Sequence, residues 1–346
     1  MRMSRSADYW EKRAQLREQA ATQKIVGLEK ELRRTYARGF EAIQGKIDAL
    51  QRRYAEKYGL SYADAIEKLT PEEQAAWQDY ANEYVRQMAD RARYPLAEMQ
   101  YDALSIRVRI SRLEALKTDI DLAVSRIMQE VNDQAAETLG EVYVEGYQMM
   151  MFDLFKERGE GYDIGRLLPK RVQEIVQYPW SGAGFSQRIW RNREQLAFQL
   201  KESLTKGLIR GDGLPQIAQE LKETMGVSYR SASRLVRTES NHLFNQATID
   251  GYKRDGIEEY RFLATLDSTT CKRCGALDRE KFKVEDAKAG VNLPPLHPHD
   301  RCTTVPVIWE DLESDNSTRI ARDADGEWYQ VPAEMTFEAW RKKQTE

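Results

Sequence analysis

The chain has 346 residues, room for two or three domains, of which 41% are apolar and 32% charged. That balance predicts soluble, helix-rich material, and no stretch approaches the roughly 18 consecutive apolar residues of a membrane span. The opening, Met1 to Asp8, has no apolar run behind it that could act as a secretion signal.

The net charge of −3 conceals an asymmetry. Residues 1–60 hold 14 Lys and Arg against 8 Asp and Glu, a balance of +6 that leaves −9 on the rest. Such a basic N-terminal arm is a candidate DNA contact, and a solvated helix face of mixed charge is the plainer reading.

Residues 7–58 predict one or two helices, because Ile25, Leu28, Leu32, Tyr36 and Phe40 recur every three or four positions among alternating charges. Gly27, Gly39 and Gly45 weaken that pattern locally. A short helix at 62–69 follows. Thr70-Pro71-Glu72-Glu73 then starts another, which should run to about Arg93 before Pro95. From Leu104 onward Leu113, Leu116, Ile120, Ala123, Val124, Ile127 and Val131 form an apolar seam. It should pack on the chain's own first helices, with self-association through Leu113–Val131 as the alternative. Met149 to Phe152 extends the apolar run.

A domain boundary is expected near residue 160, where Gly159 and Gly161 interrupt the pattern. Helices are then expected at 186–209, 214–225 and 229–255, with Gly226 and Gly256 as stops. After Gly256 the period turns extended, predicting strands at Tyr260–Thr265, Lys281–Val284 and Thr303–Trp309. Residues 311–325 read as polar and mobile, Trp328–Val331 as an edge strand and Thr336–Lys343 as a closing helix. The expected fold class is mainly α: a long helical N-terminal region (1–160), then a C-terminal α+β domain (161–310) with a small zinc-stapled sheet, then a tail (311–346).

All three cysteines and two of the three histidines fall within residues 271–302, as Cys271-x2-Cys274-x22-His297-x4-Cys302. Thiolates and imidazole in a CxxC turn plus a distant pair match a tetrahedral zinc site. Cysteines gathered beside histidines also fit a metal in a reducing compartment better than a disulfide framework. Four protein ligands would make the zinc structural, worth roughly 10–16 kcal/mol in zinc-finger peptides. The metal-free alternative packs the cysteines as small hydrophobes.

A catalytic reading would make the chain a zinc-dependent nuclease or hydrolase, with His297 or His299 activating water. No HExxH motif or deaminase HxE signature accompanies the histidines, and the prolines around His297 more simply fix a ligand in a rigid turn. Arg237-Thr238-Glu239 should form intramolecular pairs from within a helix. His242 should be a core or interface histidine rather than a ligand, and Trp180, Phe185 and Trp190 core anchors. Asp267 to Thr270 should hydrogen-bond the zinc loop.

In order, Trp180-Ser-Gly182, Phe185-Ser-Gln-Arg-Ile-Trp190, Arg237-Thr-Glu239, Cys271-Lys-Arg-Cys274 and Pro294-Pro-Leu-His297-Pro298 resemble the Mu F-like head morphogenesis proteins of tailed bacteriophages and prophages. The resemblance covers roughly residues 175–310. It implies a non-enzymatic minor head (capsid) protein of the virion, made in the host cytoplasm, acting in head morphogenesis and associated with the portal vertex. The implied partners are the portal protein, with capsid or scaffold proteins and DNA as further candidates, and no membrane. The family's closing segment often reads His-Pro-x-Cys-Arg-Cys, whereas this chain carries Asp300 in place of the first of those two cysteines. Cys302 is then the expected fourth ligand, since thiolate suits structural zinc better than carboxylate, with Asp300 or His299 as substitutes or outer-shell acceptors. Some Mu F-like proteins continue into a toxin domain; the residues after Trp309 are expected to be too few for one.

Overall fold

The computed structural model describes residues 7–54, 112–158, 167–308, 318–323, 327–332 and 334–345. In chain order the elements are α1 (Ala7–Tyr54), α2 (Arg112–Arg158), α3 (Pro169–Gln177), α4 (Phe185–Arg210), α5 (Leu214–Asp255), β1 (Glu259–Leu263), α6 (Lys272–Ala276), β2 (Lys281–Lys283), β3 (Thr303–Val307), β4 (Thr318–Arg322), β5 (Trp328–Pro332) and α7 (Phe337–Thr345). The fold is mainly helical with small antiparallel sheets near the C-terminus, as expected. Among the described residues no helix is long and apolar enough to cross a membrane. The helices expected at 62–69 and 70–93, the boundary near residue 160 and the end of the third strand at Trp309 lie outside the described residues.

The helices contribute to two compact units, each drawn from separate stretches of chain. One unit takes α1 from Lys30, α2 up to Gln134, α4 from Ser186 and α5 up to Ala232. The seam residues Leu113, Leu116, Ile120, Val124, Ile127 and Val131 are all buried there, while Ala123 is only half-buried. Gly39 lets α1 close on α2, since a Cβ at that position would collide with Ile127. Thr35 donates to Glu130 at 2.9 Å, and on the α4 side Lys201 pairs with Asp121 at 2.9 Å. Among the described residues the seam is thus packed by the chain's own helices.

The other unit holds α1 up to Glu29, α2 from Ala135, α3, and the described residues from Ser233 onward. Here α5 is buried almost all round from Leu235 to Tyr252, the mark of a central helix. Asp153 of α2, itself fully buried, receives Arg13 at 2.6 Å and the buried guanidinium of Arg17. Lys24 reaches Glu141 at 2.9 Å. Several cations of the basic N-terminal segment are therefore matched by carboxylates within the fold.

Two expectations need correction. The stop at Gly226 does not occur, and α5 is one helix of 42 residues. Leu221 and Met225 before the glycine, and Ala232 and Val236 after it, keep one buried stripe in phase. That burial outweighs the roughly 1 kcal/mol helix penalty of a glycine. Nor is residues 311–325 wholly irregular: Thr318–Arg322 forms β4 and pairs antiparallel with β5. Arg319 causes this, because its buried guanidinium holds both oxygens of Asp278, at 2.9 and 3.2 Å, and the carbonyls of Ala264 and Met335. A polar-looking segment is thereby fastened by one buried charge whose two terminal nitrogens are both engaged. Helix α3 had no counterpart in the sequence reading.

The three-stranded sheet has the order β2-β1-β3, antiparallel throughout, with Tyr260 opposite Phe282 on one side and Pro306 on the other. Tyr260, Phe262 and Leu263 are buried, and Cys302 immediately precedes β3. The sheet is small, so whatever closes its loops matters to its stability.

Candidate metal centre

Helix α6 is a single turn opened by Cys271, whose Sγ accepts the Cys274 N–H at 3.4 Å and caps it. Gly275, next in the turn, is required by Phe337 of α7, which would collide with a Cβ there. Arg273 points the other way, donating to the Leu296 carbonyl at 3.0 Å and to that of Gly290. One turn thus presents two thiols and pins the segment that carries the histidine.

That segment passes through the cis Pro294–Pro295 bond to His297, whose Nε2 lies 3.3 Å from the Cys274 Sγ. Its Nδ1 lies 2.8 Å from the Pro298 carbonyl. A carbonyl can only accept, so Nδ1 carries the proton and Nε2 offers its lone pair toward the sulfur cluster. Burial disfavours the imidazolium, but the Pro298 carbonyl and Asp300 outweigh it and raise the His297 pKa.

Asp300 organises the rest. It is buried, and its two oxygens accept the Cys302 N–H at 2.9 Å and the Leu296 N–H at 2.7 Å. The Cys274 thiol stands 3.7 Å from the second oxygen. Cys302 is also buried, and its carbonyl accepts from Asn241 at 3.1 Å and Asn245 at 3.3 Å, so helix α5 holds the loop by two amides. Hydrogen bonding from Cys302 lowers the Cys274 pKa, while that same bond, burial and Asp300 hold the Cys302 thiol well above its ordinary range.

The potential ligand atoms form two sets, Cys271 with Cys274 and His297, and Cys274 with Asp300 and Cys302, each within 4.8 Å. Cys274 belongs to both. All four residues expected as ligands are brought together around it, and none of the three cysteines is in a disulfide. The 3.3 Å sulfur–nitrogen separation compares with about 3.6 Å across a tetrahedral zinc with ordinary bond lengths. The donor set fits a zinc ion. Asp300 lies inside the cluster but is engaged by backbone N–H groups. His299 lies in neither set; with φ at 63° its own N–H is directed to the Thr238 hydroxyl at 3.3 Å.

The Arg237-Thr238-Glu239 run ties three elements to α5. Arg237 forks onto Glu29 of α1 at 2.5 and 2.6 Å, Thr238 receives the His299 N–H, and Glu239 accepts the Trp180 indole N–H at 2.8 Å. Trp180 also stacks on buried His242, with centroids 4.4 Å apart. His242 is thus a core residue, as expected, and burial pushes its pKa down to about 3. Phe185 is a core anchor, while Trp180 and Trp190 are only half-buried. Asp267 accepts from Thr269 and Thr270 and pairs with Arg301 at 2.6 Å, bracing the loop. Asn241, Asn245 and Arg273 were missed in the sequence. An exposed Arg or an Asn inside a helical pattern gives no local sign of a carbonyl partner far away in the chain.

Comparison with known proteins bears on this arrangement. The family described as Phage Mu protein F like protein matches residues 199–305. An NAD(+)–arginine ADP-ribosyltransferase, EFV, of Enterococcus faecalis (strain ATCC 700802 / V583) is 24% identical over 246 residues, 66% of this chain, which spans half of that protein's length. The minor head protein GP7 of Bacillus phage SPP1 is 21% identical over 335 residues, 92% of this chain and 93% of the relative. No solved structure matches. Residues 199–305 thus carry the Mu F-like match, including the ordered Arg-Thr-Glu, CxxC and His-Pro elements, and the chain is similar to a phage minor head protein over nearly its whole length.

Proposed function

We propose that this protein is a non-enzymatic part of the phage head that assists assembly at the portal vertex, and that zinc closes the Cys271, Cys274, His297 and Cys302 cluster. The observation that carries the assembly reading is similarity to a minor head protein over nearly the whole of both chains. The metal reading rests on the gathering of Cys271, His297 and Cys302 around Cys274, beside the ends of a small three-stranded sheet. Zinc would supply charge and a tetrahedral tie between α6 and the 297–302 loop. The chain itself supplies orientation: Pro298 fixes the imidazole, and Asp300 and the two asparagines fix Cys302.

Catalysis at this centre is disfavoured by the same geometry. The His297 Nδ1 is held by Pro298 and its Nε2 faces Cys274, so neither nitrogen is left to activate water. The transferase named among the relatives shares only half its length with this chain, and the match assigns that activity to neither half. The proposed setting is the virion, near the portal, after assembly in the host cytoplasm. Contact with packaged DNA through residues 1–60 is a secondary element, since Arg13, Arg17 and Lys24 already face carboxylates.

Co-expression of the tagged chain with its cognate portal protein tests the assembly reading. Stable co-purification without metal-dependent cleavage of DNA is expected. Cleavage abolished by His297→Ala or His299→Ala in a folded protein would instead establish the nuclease reading.

A further inference from the structure

The 297–301 turn also walls a cavity of about 480 Å³, shared with α1, α5 and β4. Two of the guanidiniums on its wall are already matched, Arg237 by Glu29 and Arg301 by Asp267. The third is not. Arg322 makes no hydrogen bond or ion pair through its side chain among the described residues, and its buried Nε has no partner. Its plane lies over the Trp328 ring, 3.7 Å from the centroid. Stacking occupies the face of a guanidinium and leaves its in-plane donors for an acceptor.

Across the same cavity stands Glu18, whose one side-chain bond is from the Thr22 hydroxyl at 2.8 Å. It forms no ion pair with Arg322. Burial raises its pKa against the opposing effects of the Thr22 hydroxyl and Arg322, which favours the neutral carboxyl, the form that can donate a hydrogen bond. Ile25, Phe244 and Pro298 give the remaining wall an apolar surface.

We propose that this cavity receives a carboxylate-bearing side chain of a partner protein, held by Arg322 and Glu18. A guanidinium edge recognises a carboxylate by paired N–H donors, and the apolar wall accepts the methylene stem. Among the described residues Arg322 is the guanidinium of this wall that makes no ion pair, so a single negative charge fits better than a phosphate dianion. The occupant is therefore a glutamate or aspartate of an acidic segment. The inference goes beyond the head-assembly reading and does not depend on which head component supplies the segment.

The test is titration of the full chain, followed by calorimetry, with butyrate, inorganic phosphate, and a short capped peptide containing one glutamate or its glutamine counterpart. Saturable binding of butyrate and the glutamate peptide is expected, at least tenfold weaker for the glutamine peptide and for phosphate. Arg322→Met, which keeps the packing on Trp328, should lose at least tenfold in affinity with an unchanged far-ultraviolet circular dichroism spectrum. Glu18→Gln, which keeps a donor, should retain it. Tighter binding of phosphate, equal binding of both peptides, or unchanged affinity in Arg322→Met would overturn the proposal. Portal co-purification is read separately, so its failure leaves this result standing.

Discussion

Replacing Asp300 by asparagine tests how the cluster is held together. In the native loop two backbone donors are aimed at two different carboxylate oxygens, Cys302 N–H at 2.9 Å and Leu296 N–H at 2.7 Å. A carboxamide offers one acceptor oxygen, so one of these buried N–H groups would face an NH2 donor. A charge-assisted bond contributes about 1.5–3 kcal/mol and an unsatisfied buried donor costs about 1–3 kcal/mol, terms that overlap. The expected loss is therefore about 2–4 kcal/mol in urea unfolding, with faster hydrogen exchange at the Leu296 and Cys302 amides. Glu285→Gln is the control: that side chain is 76% exposed and its ion pair among the described residues is with Lys283, at 3.5 Å, so a change within about 0.5 kcal/mol is expected. A loss below about 0.5 kcal/mol in Asp300→Asn, with both amides as protected as before, would refute the reasoning. Metal content separates the roles further. An organising Asp300 leaves zinc at full occupancy in the folded variant, whereas a ligand does not.

Two more outcomes follow from the packing. Gly39→Ala should destabilise by about 1–3 kcal/mol because the new methyl meets Ile127, whereas Gly45→Ala, with nothing within 4 Å, should stabilise by up to about 1 kcal/mol; thermal unfolding distinguishes them. Equal effects at both positions would contradict the close approach of α1 and α2. His242 has a folded pKa of about 3 against about 6.5 when unfolded, so the unfolded chain binds the extra proton between those values. Its contribution is complete above pH 6.5 and is lost as pH falls, at about 1.4 kcal/mol per unit. His242→Phe keeps a ring against Trp180 and should remove about 2–3 kcal/mol of the decline between pH 7 and pH 4.5. Parallel pH profiles for the two proteins would show that His242 is not buried neutral.

The parts of the fold legible in the sequence were those written in local period and spacing. The α2 seam, the extent of α4, the strands around Tyr260 and Phe282, and the position of Cys302 at a strand start all follow from patterns a few residues long. The Cys and His residues stood out because soft ligands are scarce elsewhere in the chain. What escaped depends on distant partners. Gly226 looks like a stop until the buried stripe on both sides of it is seen to stay in phase. Thr318–Arg322 looks like loop because its decisive contact, Arg319 with Asp278, joins residues 41 apart. The role of position 300 is similar. Aspartate there reads as a missing cysteine from the family pattern, whereas its carboxylate bridges two backbone amides.

The direct measurement of the central claim is elemental analysis of the natively purified chain, with thiol reactivity measured before and after chelation. One zinc per chain is predicted. The three cysteines should be protected before chelation and reactive after it, when the β1–β3 sheet loses its exchange protection. Protein free of zinc, with all three thiols reactive and the sheet still protected, would contradict the account.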